Sequence, residues 1–147
     1  MNNRGFSALE IIITISISFI LTAISVSMFS RLSNNTSLDK DANIVLSYIS
    51  RARSAAIDSK DALAHGVKFA STTVYIYSGT TYPGTHSESY NLLSGANISS
   101  LSLSNRSTSF YFNKLTGTPS ATGTVTVSRN GSSKSIIIYA TGVSEIQ

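Results

Sequence analysis

The stretch RGFSALEIIITISISFI (residues 4–20) decides how this chain is built. One carboxylate, Glu10, stands at the mouth of an apolar run, and no further charge follows until Arg31. Residues 11–30 are mostly Ile, Phe, Leu, Val, Ala and Met, with Thr14, Ser16, Ser18, Thr22, Ser25, Ser27 and Ser30 interspersed. As a helix this run is about 30 Å long, the thickness of the hydrocarbon core of a bilayer. The segment ITISISF alternates as a strand does, but the run is too long and too uncharged for a single strand. Its hydroxyls can donate back to helix carbonyls or across to a neighbouring helix. A secretory signal peptide fits poorly. The n-region MNNR is very short, the apolar core is longer than usual, and no A-x-A-like cleavage site stands after it. A plain signal anchor fits the length. Neither accounts for Glu10, because an ionisable group in or beside a membrane is costly without a partner.

The order Arg4, Gly5, Phe6, three residues, Glu10 and then an apolar helix resembles the processing motif of type IV prepilins and pseudopilins. Ser7, Ala8 and Leu9 stand where that family usually has Thr-Leu-Ile, a mild departure. The resemblance implies that a prepilin peptidase cuts after Gly5, closing a leader of residues 1–5, and N-methylates Phe6. It implies a helix that stays attached. The helix first holds the protein in membrane lipid as a single pass of the cytoplasmic (inner) membrane, with the C-terminal domain outside the cytoplasm. An inner-membrane assembly platform then moves it into a cell-surface or periplasmic filament, where it packs against other pilin or pseudopilin subunits. In such families the Glu, here Glu10, pairs with the N-terminal amine of a neighbouring subunit. A buried charge persists only when it is paired.

The bulk composition narrows the remaining classes. The chain has 147 residues, enough for one domain beyond the N-terminal segment. Only 12% of residues are charged, about half the typical globular share, and Ser and Thr supply most of the polarity. With no cysteine there is no disulfide framework, thiolate metal site or Cys nucleophile. A net charge of +4 does not identify a nucleic-acid binder.

Beyond the apolar run, Asn34, Asn35, Thr36 and Ser37 offer N-cap chemistry, with Asp39 at the capping-box spacing. They predict a loosened or restarted helix. Leu38, Ala42, Val45, Ile49, Ala52 and Ala56 then recur as one amphipathic stripe. Asp39, Lys40, Asp41, Arg51, Arg53, Asp58, Lys60 and Asp61 are read as lying off it. The helix is expected to reach about Ala64, with His65 as a C-terminal cation and Gly66 as its cap. The stripe needs a sheet to cover it. The remainder of the chain has the character of strands: GVKFA and TVYIYSG as a hairpin, then SYNLL, ISSLSLS and STSFYFN, with a hairpin turning on Asn130-Gly131. The expected fold class is α+β. A long N-terminal helix (membrane half 6–30, amphipathic half 31–65) packs on an antiparallel β domain at 66–147, the pilin layout.

The end of the chain carries a second resemblance, over residues 43–142, to H-type minor pseudopilins of type II secretion and FimT-type minor pilins. Its positions are Phe112, Gly117, Thr124, Thr126, residues 136–138 and Gly142. This implies a minor structural subunit of a type IV pilus, type II secretion or competence-type filament. Some FimT-type proteins bind DNA through arginines that follow a C-terminal Gly. Here Gly142 is followed by VSEIQ, with an acid and no arginine, which counts against DNA uptake as the alternative role. Arg129 and Lys134 flank the Asn130-Gly131 turn and are the residual candidates for phosphate contact.

No constellation points to catalysis. His86-Ser87-Glu88 are adjacent, whereas triads assemble from separated segments. There is no H-E-x-x-H, no phosphate loop and no metal-ligand cluster, and residues 58–61 (DSKD) hold too few oxygen donors for calcium. The chain reads as a non-enzyme without cofactor or metal. Arg51 and Arg53, beside the stripe, are left to face either a neighbouring subunit's acids or water.

Overall fold

The computed structural model describes residues 8–93 and 95–147, in two compact units, Met1–Asn35 and Thr36–Gln147. Arg4, Gly5 and Phe6 lie outside the described residues. The chain is α+β. Among the described residues, helix α1 (Ala8–Ile57) is followed by a short 3-10 turn (Lys60–Ala62) and eight strands.

The polar residues 34–37 do not interrupt α1. Helix formation is cooperative, and good helical sequence on both sides carries a polar turn along. Side chains that could compete with the backbone instead bond to it from within the helix. Asn43 donates to the carbonyl of Asp39 at 2.7 Å, and Ser47 to that of Ile44 at 2.7 Å.

The helix stops at Ile57, short of the expected Ala64. Ala56 is the last fully buried position of the stripe, and Ser59 and Lys60, three and four residues on, give the helix nothing apolar to bury. Ser59 adopts a left-handed conformation, as do Asp61 and Ala62, and the chain reverses into the sheet. His65 and Gly66 are therefore strand residues, not a helix cap.

The strands are β1 (His65–Phe69), β2 (Thr73–Ser78), β3 (Ser87–Asn91), β4 (Ala96–Leu103), β5 (Ser109–Phe112), β6 (Gly123–Arg129), β7 (Ser132–Ile138) and β8 (Ser144–Ile146). They form two four-stranded sheets rather than one, ordered β3-β2-β1-β5 and β4-β6-β7-β8, with every pairing antiparallel. The β6–β7 hairpin turns on Asn130 and Gly131, both at positive φ, as the two-residue turn requires. Strand β8 lies in the VSEIQ tail and pairs with β7.

The stripe is buried as its spacing requires. Leu38, Val45, Ile49, Ala52 and Ala56 join Val67, Val74, Phe110 and Phe112 of the first sheet and Val125, Val127, Ile136 and Ile138 of the second in one continuous core. Inward and outward residues alternate along β6, so the valines face the helix and the threonines face away.

Asp41 departs from the expected polar face. It is fully buried, accepts the Leu93 backbone N–H at 3.1 Å and the Tyr90 hydroxyl at 3.3 Å, and so ties the β3–β4 connection to the helix. Gly117 and Gly142 close the other end of the stripe. Both have positive φ. A Cβ on Gly117 would lie 2.6 Å from Ile57 Cγ1, and one on Gly142 would lie 2.3 Å from the Gly117 carbonyl oxygen. Two loops thus press backbone-first onto the end of α1, an approach open only to glycine.

Candidate functional site

The first candidate region is the N-terminal part of α1. Ala8–Ser25 is long and apolar enough to cross a membrane, with mean hydropathy 2.1 and none of it buried. A signal sequence passes the same test of length and composition. Its large apolar side chains are exposed on every side, from Ile11 at 48% to Phe19 at 77%. Its hydroxyls are not left bare. Thr14, Ser16, Ser18, Thr22 and Ser25 each donate to the carbonyl four residues back, at 2.7–2.9 Å. That pairing satisfies a hydroxyl inside hydrocarbon and leaves the helix surface effectively apolar. Glu10 lies in the first turn, where the positive end of the helix dipole favours an anion.

The second candidate is the β6–β7 hairpin. Lys134 pairs with Val127, an inward position, and its ammonium reaches Asp39 of the helix at 2.6 Å. Arg129 pairs with Ala96 and Ser132, and its Nε and Nη1 are buried. Both cations are turned toward the helix side of the second sheet, so the hairpin tip does not present them together to a phosphate backbone.

The third is a cleft of about 580 Å³ between the end of α1 and strands β2 and β3, and it brings together both histidines. His65 lies buried on β1. Its Nε2 is 3.1 Å from the Lys60 carbonyl, which can only accept, so in the neutral ring Nε2 carries the proton. Nδ1 then accepts from the Ser78 hydroxyl at 3.3 Å. Ser78 is itself only 6% exposed. The pair staples the 3-10 turn to the first sheet, and both residues line the cleft. His86 also lines the cleft, as do Ser87 and Glu88 of β3.

Glu88 faces the helix and takes a two-pronged ion pair from Arg51, at 2.9 and 3.2 Å. The Arg51 guanidinium holds the Glu88 carboxyl below the usual carboxylate range, and its own pKa is raised in return. Arg51 also lies 5.4 Å over the Tyr48 ring. Arg53 donates to the Thr141 carbonyl at 3.2 Å. Both arginines are therefore engaged within the chain. The partner of Arg51 lies 37 residues away, beyond the reach of local patterning.

Among the described residues, no group of three His, Cys, Asp or Glu side chains is placed to hold a metal ion. No family model, curated protein or solved structure matches this chain.

Proposed function

We propose that the chain is a structural subunit of a type IV pilin-like filament, a minor pilin or pseudopilin that acts by assembly. One observation carries this reading. The Gly5-Phe6-x-x-x-Glu10 order leads directly into an unbroken helix that is apolar on all sides and has Glu10 in its first turn. A helix of that kind needs a covering of lipid or of other helices. A charge at its end needs a cationic partner once water is excluded. The N-terminal amine released by cleavage after Gly5 supplies one on a neighbouring copy. The rest of α1 supports the same reading, since its stripe packs on antiparallel sheets as in a pilin-like layout. No observation favours the DNA-uptake role, because Lys134 is held by Asp39 and Arg129 has two nitrogens buried.

The test is incorporation. Glu10→Ala is expected to leave processing intact while removing the chain from purified filaments. Normal incorporation of that variant would show that the charge pair does not place the subunit.

A further inference from the structure

The outer face of the first sheet carries a feature on which the proposed assembly through α1 does not rest. Cross-strand partners share a face, so the registers put Gly66 and Lys68 of β1 beside Tyr75 and Tyr77 of β2 and Ser109 and Tyr111 of β5. The opposite face, with Val67 and Phe110, is core. Tyr82 arrives from the β2–β3 loop and packs edge-on against both β2 tyrosines, with ring centroids 5.3 Å from Tyr75 and 5.7 Å from Tyr77. Four of the seven tyrosines of the chain thus gather on one solvated sheet face.

The cluster is held rigidly from below. A Cβ on Gly66 would lie 2.4 Å from Tyr77 Cζ, so the Tyr77 ring lies directly on the strand backbone. Its hydroxyl reaches the Phe110 carbonyl at 3.4 Å, and the side chain is 2% exposed. Tyr77 is the floor, while Tyr75, Tyr82 and Tyr111 are only half-buried. Lys68 Nζ sits 4.1 Å over the Tyr82 ring and fixes it from a third side. Rings ordered before binding lose little entropy on contact.

We propose that this tyrosine platform binds an extended, uncharged pyranose chain. Tyrosine faces accept the C–H face of a sugar ring, and their hydroxyls bond to its polar edge. The surroundings match a neutral, hydroxyl-rich ligand: Ser87, Ser89 and Ser109 flank the rings on the same face. Single-stranded nucleic acid also stacks on aromatic rings, but it needs a cationic groove along its phosphates. Lys68 is the one cation at these paired positions, and it is already placed over a ring.

The full chain in a detergent without a sugar headgroup is titrated with cellohexaose, N-acetylchitohexaose and an oligothymidylate, followed by tyrosine fluorescence and calorimetry. Binding of at least one saccharide with a Kd of about 1 mM or tighter is expected, insensitive to salt. Tyr82→Ala and Tyr75→Ala each weaken it about tenfold. Tyr82→Phe retains it, and Tyr139→Ala, on β8's side of the second sheet, leaves it unchanged. The Tyr82→Phe and Tyr139→Ala results separate loss of the platform from loss of the fold. Absence of saccharide binding, binding indifferent to Tyr75 and Tyr82, or salt-dependent binding of the oligothymidylate alone would each overturn the proposal. None of these results bears on processing after Gly5 or on the role of Glu10.

Discussion

The two parts of α1 are built from the same apolar residue types and meet opposite fates. Ile13 is 49% exposed, and its neighbours are exposed all round the helix. Ile49 is completely buried, with Val45 and Ala52 beside it. The difference lies in spacing. In the second part the buried apolar residues occupy one stripe, and Lys40, Asn43, Ser47 and Ser54 lie exposed on the other side, so a sheet can cover one face and water the rest. In the first part no face is polar enough to prefer water, and only an all-round apolar environment serves it. Residue type alone does not separate the two; periodicity does.

That contrast breaks first at Ile49. Ile49→Ala is expected to lower the unfolding free energy of the β-bearing unit by about 2–5 kcal/mol, read by urea denaturation of the full chain in detergent. Ile13→Ala should stay within about 0.5 kcal/mol in the same assay. Equal effects would mean that the first part of the helix also stabilises the sheet core. The glycines at the end of the stripe come next. Gly142→Ala drives a Cβ into the Gly117 carbonyl at a positive φ, and a loss of about 1–3 kcal/mol is expected. Asp41→Ala sharpens the comparison from the polar side. It leaves the Leu93 N–H and the Tyr90 hydroxyl without their acceptor, at about 1–3 kcal/mol. A loss near zero would show that water replaces the carboxylate.

Within the β-bearing unit the smallest effect belongs to Arg51 and Glu88. Both side chains are 55% exposed, so solvent screens the pair and Glu88→Gln should cost below about 1 kcal/mol. The carboxyl titrates lower in the folded chain than in the unfolded one. Its contribution is therefore fully present above the unfolded glutamate value of about 4.3 and is lost as the pH falls through the lower folded value. Acid unfolding of Glu88→Gln should run parallel to the parent above that pH and converge with it below. Divergence toward acid would assign the effect to another group.

Much of the fold is legible in the sequence because it is periodic. The stripe from Leu38 to Ala56 and the Asn130-Gly131 hairpin are local patterns, and each maps onto an observed element. Asp41 looks solvated by residue type, yet its position carries the opposite signal: three residues after Leu38 and four before Val45, it stands on the stripe itself. The early end of α1 is hidden because Leu63 and Ala64 continue a helical composition after the core contact has ended. The split into two sheets, the Arg51–Glu88 pair and the meeting of His65 with Ser78 are long-range outcomes of register, which no local pattern encodes. The tyrosine platform lies between these cases. Tyr75 and Tyr77 alternate visibly on one strand, but Tyr82, Lys68 and Gly66 join them only through the loop and the β1 pairing.

The proposed filament role rests on the ten residues that end in Glu10. The most direct measurement is the intact mass and N-terminal fragmentation of the chain expressed with and without a prepilin peptidase. The peptidase is expected to remove residues 1–5 and leave a chain beginning at Phe6 with one added methyl group on its amine, and Gly5→Ala is expected to block both changes. An unchanged N-terminus in the presence of an active peptidase would contradict this role, as would cleavage beyond the apolar segment.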